Sequence, residues 1–269
     1  MTTGKTIGII SIKGGVGKTT TVINLATSLA NDYGKKVLVV DANFSSPNIN
    51  LHLGSVEHKA HLHDALKNKT SIVNTIHDHD FGFHFIPSAL GNEKINHLSL
   101  KHKLAGLKKY YDFIILDSSP SLNNEILATI SSSDELYVVS SPDLPTLSTT
   151  LRAVKLAKQK GMNIAGLILN KVRGKTYEIS KESMQELTGV PVLSVLNENV
   201  RVLESLSKVK PITLHSPHSN VSREYKKLAA LLSGEQYKEP SIMMKAYGYL
   251  KDDFHNFTNH DFKKNFRYY

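Results

Sequence analysis

A glycine-rich run near the start of the chain has the residue types that bind phosphate. It reads Ser-Ile-Lys-Gly-Gly-Val-Gly-Lys-Thr-Thr over residues 11–20. Gly14, Gly15 and Gly17 allow positive φ values and a close approach of the backbone to an anion. Successive N–H groups, including that of Val16, can then surround a phosphate group. The run therefore predicts a loop that binds a phosphorylated ligand.

The residues after the glycines add a cation and a hydroxyl group. Lys18 is suited to bridge the β- and γ-phosphates of a nucleotide, and the Thr19 hydroxyl is suited to coordinate Mg²⁺. We expect a helix to begin at about Lys18, so that its positive end faces the same phosphates. The predicted nucleotide-binding set is Gly14, Gly15, Val16, Gly17, Lys18, Thr19 and Thr20.

The segments on either side of this loop have the patterns of a strand and a helix. Residues 6–11 form a short, β-branched, apolar run that is typical of a buried parallel strand. Residues 20–30 carry apolar side chains at helical spacing. Strand, glycine loop and helix is the order that a phosphate-binding loop requires.

Two further apolar runs each end on an aspartate. Residues 36–41 end at Asp41, and residues 111–117 end at Asp117. Ligands of open parallel sheets lie at the carboxyl ends of the strands, so both carboxylates should face the phosphate site. With Thr19, we predict Asp41 and Asp117 as the residues of the metal site.

Strand and helix patterns alternate along the rest of the chain, which predicts an α/β fold with a doubly wound, mostly parallel sheet flanked by helices. The expected domain covers residues 1–233, and residues 234–269 form a C-terminal extension. The further strands are expected at residues 81–90, 135–140, 165–170 and 192–196, and the further helices at residues 147–158 and 220–232.

The phosphate loop departs from the general pattern G-x-x-x-x-G-K-[ST], because Ile12 stands at the first glycine and Lys13 follows it. With this extra lysine, residues 5–232 resemble the MinD/ParA family of ATPases with a deviant Walker A motif, and are closer to MinD. The resemblance implies a P-loop ATPase that binds ATP or ADP with Mg²⁺. It also implies an ATP-dependent homodimer in which Lys13 reaches the partner's phosphates.

The resemblance assigns further residues by position. Lys13, Lys18 and Asn43 would form the catalytic set, and Asn170 with Lys171 would lie at the adenine. Asn43 stands where relatives carry an acid that positions or activates the attacking water. An asparagine can orient water but cannot accept its proton, so we expect slow or partner-dependent hydrolysis. The alternative is that Asn43 is only a turn or capping residue.

Composition limits the remaining chemistry. The chain of 269 residues contains no cysteine, which excludes thiolate metal sites, disulfides and cysteine-bound clusters. The histidines between His52 and His102 lack the paired spacing of metal ligands, and we expect most of them on the surface. The formal net charge of +9 suggests an additional anionic partner, either nucleic acid or an acidic membrane surface.

Targeting signals and the C-terminal extension leave several options. No signal peptide or membrane-spanning run is recognisable, so we expect a cytoplasmic protein, with a peripheral position at a membrane as the alternative. The extension carries apolar residues at helical spacing, and it could pack on the domain or across a dimer, dock a partner protein, or bind membrane. The apolar residues are Met243, Met244, Tyr247, Leu250, Phe254 and Phe257.

Three functions follow from the resemblance and the charge. The first is a MinD-like switch that positions a cellular assembly at a membrane or pole, together with a protein activator or cargo. The second is a ParA-like partition ATPase whose dimer binds DNA non-specifically. The third is a nucleotide-dependent scaffold with little hydrolysis, because Asn43 replaces the expected acid.

Overall fold

A computed structural model describes residues 4–55, 58–89, 96–162 and 164–239. One sheet contains eight strands in the order β3-β4-β2-β5-β1-β6-β7-β8. All neighbours pair in parallel except β3 and β4, which are antiparallel. This confirms the predicted doubly wound, mostly parallel sheet. The strands are β1 Lys5–Ile10, β2 Val37–Ala42, β3 His77–His79, β4 Phe83–Ile86, β5 Phe113–Ser118, β6 Glu135–Ser140, β7 Ile164–Val172 and β8 Val192–Asn197.

Helices cover both faces of the sheet. Those within the described part of the chain are α1 Lys18–Asn31, α2 Ile49–Leu53, α3 Leu62–Leu66, α4 Leu100–Ala105, α5 Asn124–Ser132, α6 Leu144–Gln159, α7 Lys181–Thr188, α8 Val200–Ser207, α9 Ile212–His215 and α10 Asn220–Ser233. None of these helices has the length and apolar character needed to cross a membrane.

The central strands are continuous apolar runs because each of their faces is covered. In β2, Val37 and Val39 pack in one hydrophobic cluster with α1 and α10, while Leu38 and Val40 pack in another with α3 and α4. Alternate side chains of a strand point to opposite faces, so each cluster contains every second residue of the same apolar run. This arrangement fixes the carboxyl ends of β1, β2 and β5 at one edge.

Several predicted boundaries change for local reasons. Helix α6 begins at Leu144, earlier than expected, because the Asp143 carboxylate accepts the backbone N–H of Thr146 at 2.9 Å and caps the first turn. Leu151 of this helix is 39% exposed, whereas Leu147 and Val154 are buried. Strand β3 was not predicted, since its sequence His-Asp-His lacks apolar residues.

The expectation that the histidines lie mostly on the surface is wrong for part of the group. His63 is buried in α3, and its ring meets Phe44 edge-on at 5.5 Å between centroids. The ring of His58 lies 4.5 Å from His77 and 5.2 Å from Phe85. These rings pack through their apolar faces while a ring nitrogen keeps a backbone partner.

The chain turns back after α10. Gly234 has φ +71 and ends the helix in the left-handed conformation. Glu235 then pairs with Lys35 at 2.8 Å, and Glu239 with Lys227 at 3.2 Å. The extension of residues 234–269 is described only as far as residue 239, and the apolar residues on which its alternatives depend lie outside the described residues. The boundary after residue 233 stays a prediction.

Candidate functional site

The glycine-rich loop joins β1 to α1 at the carboxyl edge of the sheet. Gly15 and Gly17 have φ +74 and +96, values that disfavour any residue with a side chain. A Cβ atom at Gly17 would also collide with the side-chain amide of Asn170. Helix α1 begins at Lys18, as predicted, so its positive end faces the concave side of the loop.

Lys18 and Thr19 both turn toward the carboxylate at the end of β5. The Thr19 hydroxyl donates to Asp117 Oδ2 at 2.6 Å. Burial lowers the pKa of the Lys18 ammonium, and the nearby Asp117 charge partly opposes this effect. A buried cation of this kind is strongly stabilised by an anion placed beside it, as a phosphate would be.

Asp41 and Asp117 are direct neighbours in the β2–β5 ladder, and both are almost fully buried. Burial raises the pKa of each carboxyl, and the charge of Asp117 raises the pKa of Asp41 further. Asp117 Oδ1 is buried without a hydrogen-bond partner among the described residues. Two adjacent buried carboxylates, one with an unsatisfied oxygen, fit a hard divalent cation such as Mg²⁺.

Asp41 also anchors the segment that follows β2. Its Oδ1 accepts the backbone N–H of Asn43 at 3.1 Å, and its Oδ2 accepts those of Asn48 and Ile49 at 3.1 and 3.2 Å. These contacts hold the first turn of α2 against the sheet edge. Asp41 therefore shapes the wall of the site in addition to supplying charge.

Asn43 is 3% exposed and is restrained by its own loop. Its side-chain amide donates to the carbonyl of Ser46, and its Oδ1 is buried without a partner in the described part of the chain. These contacts are those of a turn residue. The catalytic assignment of Asn43 stays a prediction.

Asn170 and Lys171, at the end of β7, hold the phosphate loop from the side. Asn170 Nδ2 donates to the Val16 carbonyl at 2.7 Å, and Lys171 Nζ donates to the Gly15 carbonyl at 2.8 Å. Lys171 adopts φ +59, which is unusual for a residue other than glycine. The adenine contact expected of this pair stays a prediction.

Lys13 lies at the outer rim of the loop and contacts the capped end of α6 in its own subunit. Its Nζ is 3.1 Å from Asp143 Oδ1 and 2.5 Å from Thr146 Oγ1. Partial burial acts to raise the pKa of Asp143, but hydrogen bonds from Ser141, Thr146 and Lys13 lower it to about 2. The expected contact of Lys13 with a partner's phosphates stays a prediction.

These elements enclose a cleft of about 700 Å³, which is within the usual range for small-molecule sites. The phosphate loop, Asn43 and His52 form one end. Asn197, Glu198 and α8 form the other, where Glu198 pairs with Arg173 at 3.0 Å. His52, one of the histidines expected mostly on the surface, is half-buried and lines this cleft. No motif or spacing in the sequence marks His52 as a residue of the cleft.

Taken together, a parallel sheet, a glycine loop leading into a helix, and paired acids at the sheet edge define a P-loop nucleotide-binding protein. The family profile described as the CobQ/CobB/MinD/ParA nucleotide binding domain matches residues 7–212. The chain belongs to this family.

Individual relatives agree with this assignment. An uncharacterised ATP-binding protein of Methanocaldococcus jannaschii is 32% identical over 235 residues, which cover 86% of this chain and 89% of the relative. The sporulation initiation inhibitor protein Soj of Bacillus subtilis is 31% identical over 250 residues, covering 84% and 97%. The structure of the septum site-determining protein MinD of Pyrococcus horikoshii, complexed with Mg-ADP, has a TM-score of 0.80 at 30% identity, covering 85% and 96%.

Proposed function

We propose that this protein is a MinD-like ATPase switch, which binds Mg-ATP and dimerises through the face that carries the phosphate loop. The observation that carries the proposal is that Lys18 and Thr19, which line the cleft, both lie beside Asp117, whose carboxylate accepts the Thr19 hydroxyl at 2.6 Å. The resemblance to MinD of P. horikoshii, which holds Mg-ADP, supports the choice of ligand.

In this proposal, the chain's own groups bind and orient the triphosphate. The N–H groups of residues 14–19 and the positive end of α1 surround the phosphates, and Lys18 neutralises the charge that develops on the β–γ bridge. Thr19 and Asp117 would hold Mg²⁺, with Asp41 beside them. Bound there, the ion would supply positive charge to the β- and γ-phosphate oxygens.

Dimerisation is proposed from the position of Lys13. Its side chain is 37% exposed, so it lies at the rim of the cleft and not inside it. The exposed pair with Asp143 contributes at most about 1 kcal/mol, which a partner's phosphates can readily exceed. Lys13 can therefore leave Asp143 and bind the phosphates of a nucleotide in a second subunit.

The surface on which the dimer would act has two candidates. A membrane or polar assembly is favoured by the septum-site MinD relatives and by the apolar residues of the extension. A DNA-partition role is the second candidate, favoured by the net charge of +9. A protein activator or cargo belongs to either function. A scaffold with little turnover is the outcome if Asn43 prevents hydrolysis.

Vesicle co-sedimentation tests the first candidate. Two chains are sedimented with anionic vesicles in ATP or ADP: the full chain and a chain that ends at Glu239. The shorter chain keeps the contacts of Glu235 and Glu239. Pelleting that needs both ATP and residues 240–269 supports the membrane switch. A Lys18→Ala variant should not pellet in ATP, because it lacks the phosphate contact.

A parallel binding assay with non-specific duplex DNA tests the second candidate. ATP-dependent DNA binding that weakens steeply with salt, without vesicle binding, would replace the membrane function by the partition function. Binding to neither surface would contradict both candidates and leave a protein partner as the target of the dimer.

A further inference from the structure

One imidazole lies at the phosphate end of the cleft. His52 is in the last turn of the short helix α2, and it lines the cleft together with Asn43, Ser46 and Asn48. The first turn of the same helix is held by Asp41 through the N–H groups of Asn48 and Ile49. The ring is therefore positioned from the metal-site edge of the sheet and not by a free loop.

The hydrogen bond of this ring determines which nitrogen can accept a proton. His52 Nδ1 lies 3.0 Å from the backbone carbonyl of Asn48. A carbonyl oxygen can only accept, so Nδ1 must carry the hydrogen. In the neutral ring Nε2 then keeps its lone pair, and it is the nitrogen left to interact with a molecule in the cleft.

The ring is also close to the metal-site carboxylate. Burial raises the pKa of Asp117, while Thr19, Lys18 and the positive form of His52 each act to lower it. The ring is held by the carbonyl of Asn48, whose N–H is held by Asp41, the neighbour of Asp117 on the sheet. The imidazole is thus on the side of the cleft where Lys18 and Thr19 would hold the terminal phosphates.

The other groups at this end are poorly suited to accept a proton from water. Asn43 is an amide, and its side chain donates to Ser46. Both oxygens of Asp41 accept backbone N–H groups, and Asp117 is the proposed metal ligand. Lys18 is assigned to the phosphates as an ammonium group.

The opposite end of the cleft offers no better base. Glu198 is engaged by Arg173, and burial raises the pKa of Tyr225 to about 12. Of the described residues that line the cleft, His52 is the one that offers an imidazole nitrogen able to accept a proton.

We propose that His52 Nε2 accepts the proton of the attacking water when this site hydrolyses ATP; the inference rests on the ATPase function proposed above. The water oxygen forms a bond to the γ-phosphorus, and the bond from that phosphorus to the β–γ bridging oxygen breaks. ADP leaves with the electron pair of that bond, one water proton moves to Nε2, and the other stays on the phosphate. The imidazolium then releases its proton to solvent.

The test compares His52→Gln and His52→Asn with His102→Gln, a matched change at an exposed residue of α4 outside the cleft. Hydrolysis is measured in single turnover with excess protein, and binding is measured with a fluorescent ATP analogue. A positioned general base contributes about 10²–10⁴-fold, so both His52 variants should lose at least about 100-fold in rate. Their affinity for the analogue should stay within about twofold of the unchanged protein.

Two readouts separate proton transfer from a structural role. The rate of the unchanged protein should rise with pH as the neutral imidazole becomes available as a base, and this rise should be absent in the His52 variants. In NMR of ¹⁵N-histidine-labelled unchanged protein, the Nε2 signal of His52 should shift on adding Mg-ADP with aluminium fluoride. This measurement does not depend on how well any variant folds.

The outcomes distinguish this inference from the proposed function. Normal hydrolysis by His52→Gln, or an unchanged Nε2 signal, would overturn the role of His52 and leave the ATPase function in place. Binding of ATP without hydrolysis by the unchanged protein, alone and with anionic vesicles or DNA, would overturn both and favour the scaffold.

Discussion

Lys13 and Asp143 form an ion pair of 3.1 Å between the rim of the phosphate loop and the N-terminal cap of α6. The two side chains are 37% and 43% exposed. The lysine that the proposed dimer would use across its interface is thus paired within its own subunit. The proposed dimerisation would break this pair, so the strength of the pair would enter the dimer affinity.

The first prediction is that Asp143→Asn strengthens the ATP-dependent dimer. The asparagine can still cap α6, but it no longer holds the lysine by charge. An exposed pair is worth up to about 1 kcal/mol and a symmetric dimer breaks two of them, so the dimer should form at a concentration up to about 30-fold lower. Analytical ultracentrifugation in Mg-ATP measures the shift.

A suitable control is Glu135→Gln, which removes the charge from another partly exposed pair, Lys5–Glu135 at 2.8 Å. That pair lies at the start of β1 and β6, away from the carboxyl edge of the sheet. A dimer weakened by Asp143→Asn, or strengthened equally by the control, would mean that the pair with Lys13 does not oppose dimerisation.

The second prediction is that Lys13→Ala removes the ATP-dependent dimer while leaving the monomer able to bind nucleotide. Lys13 points away from the interior of its own loop, whereas Lys18 lies inside the cleft. Affinity for a fluorescent ATP analogue should change by less than about threefold in the Lys13 variant, and should be lost in Lys18→Ala. Equal losses in the two variants would place Lys13 in its own subunit's phosphate site.

The third prediction concerns Asn43→Asp. A carboxylate at this position offers a second base beside the water, so turnover should increase. The new charge would lie near buried Asp41 and would lose the donor to Ser46, which should cost about 1–3 kcal/mol in the free energy of unfolding. Turnover and urea unfolding are measured on the same preparation. Unchanged turnover with lower stability would show that position 43 has only a structural role.

The fourth prediction follows from the two buried carboxyls. Because burial raises the folded-state pKa of Asp41 and Asp117, the folded protein keeps protons that the unfolded chain has already released. In chelator, this contribution should be fully present below the unfolded-state pKa and lost as pH rises through the folded-state pKa. Adding Mg²⁺ at neutral pH should restore stability by offsetting the charge repulsion.

Asp117→Asn provides the comparison for the magnesium effect. Removing one of the adjacent charges should raise the stability at neutral pH in chelator and should largely remove the response to Mg²⁺. Thermal unfolding with and without the ion measures both effects. An equal response in the variant and the unchanged protein would place the cation elsewhere.

The sequence was sufficient for those parts of the site that depend on local pattern. The loop after β1 and the start of α1 at Lys18 follow from the glycines and the helical spacing within one short segment. The pairing of Asp41 with Asp117 follows from two apolar runs that end at the same edge of a parallel sheet.

Features that depend on distant contacts were not predictable. His52 enters the cleft because Asp41 fixes the first turn of a five-residue helix, and no periodicity marks a helix that short. Lys13 pairs with a residue 130 positions away. The partners of Asn170 and Lys171 are carbonyls of the phosphate loop, and a side-chain pattern carries no information about a backbone acceptor.

The carboxylate of Asp41 joins two parts of the site that would otherwise act separately. It lies beside Asp117 on the sheet, and it also accepts the N–H groups that begin α2. A cation that draws on its charge must change how firmly that helix is held. If a partner binds one position of α2 preferentially, the cation changes the affinity for that partner by some factor. Thermodynamic reciprocity then requires that the partner changes the cation affinity by the same factor. An activator could thus control the metal site without touching it.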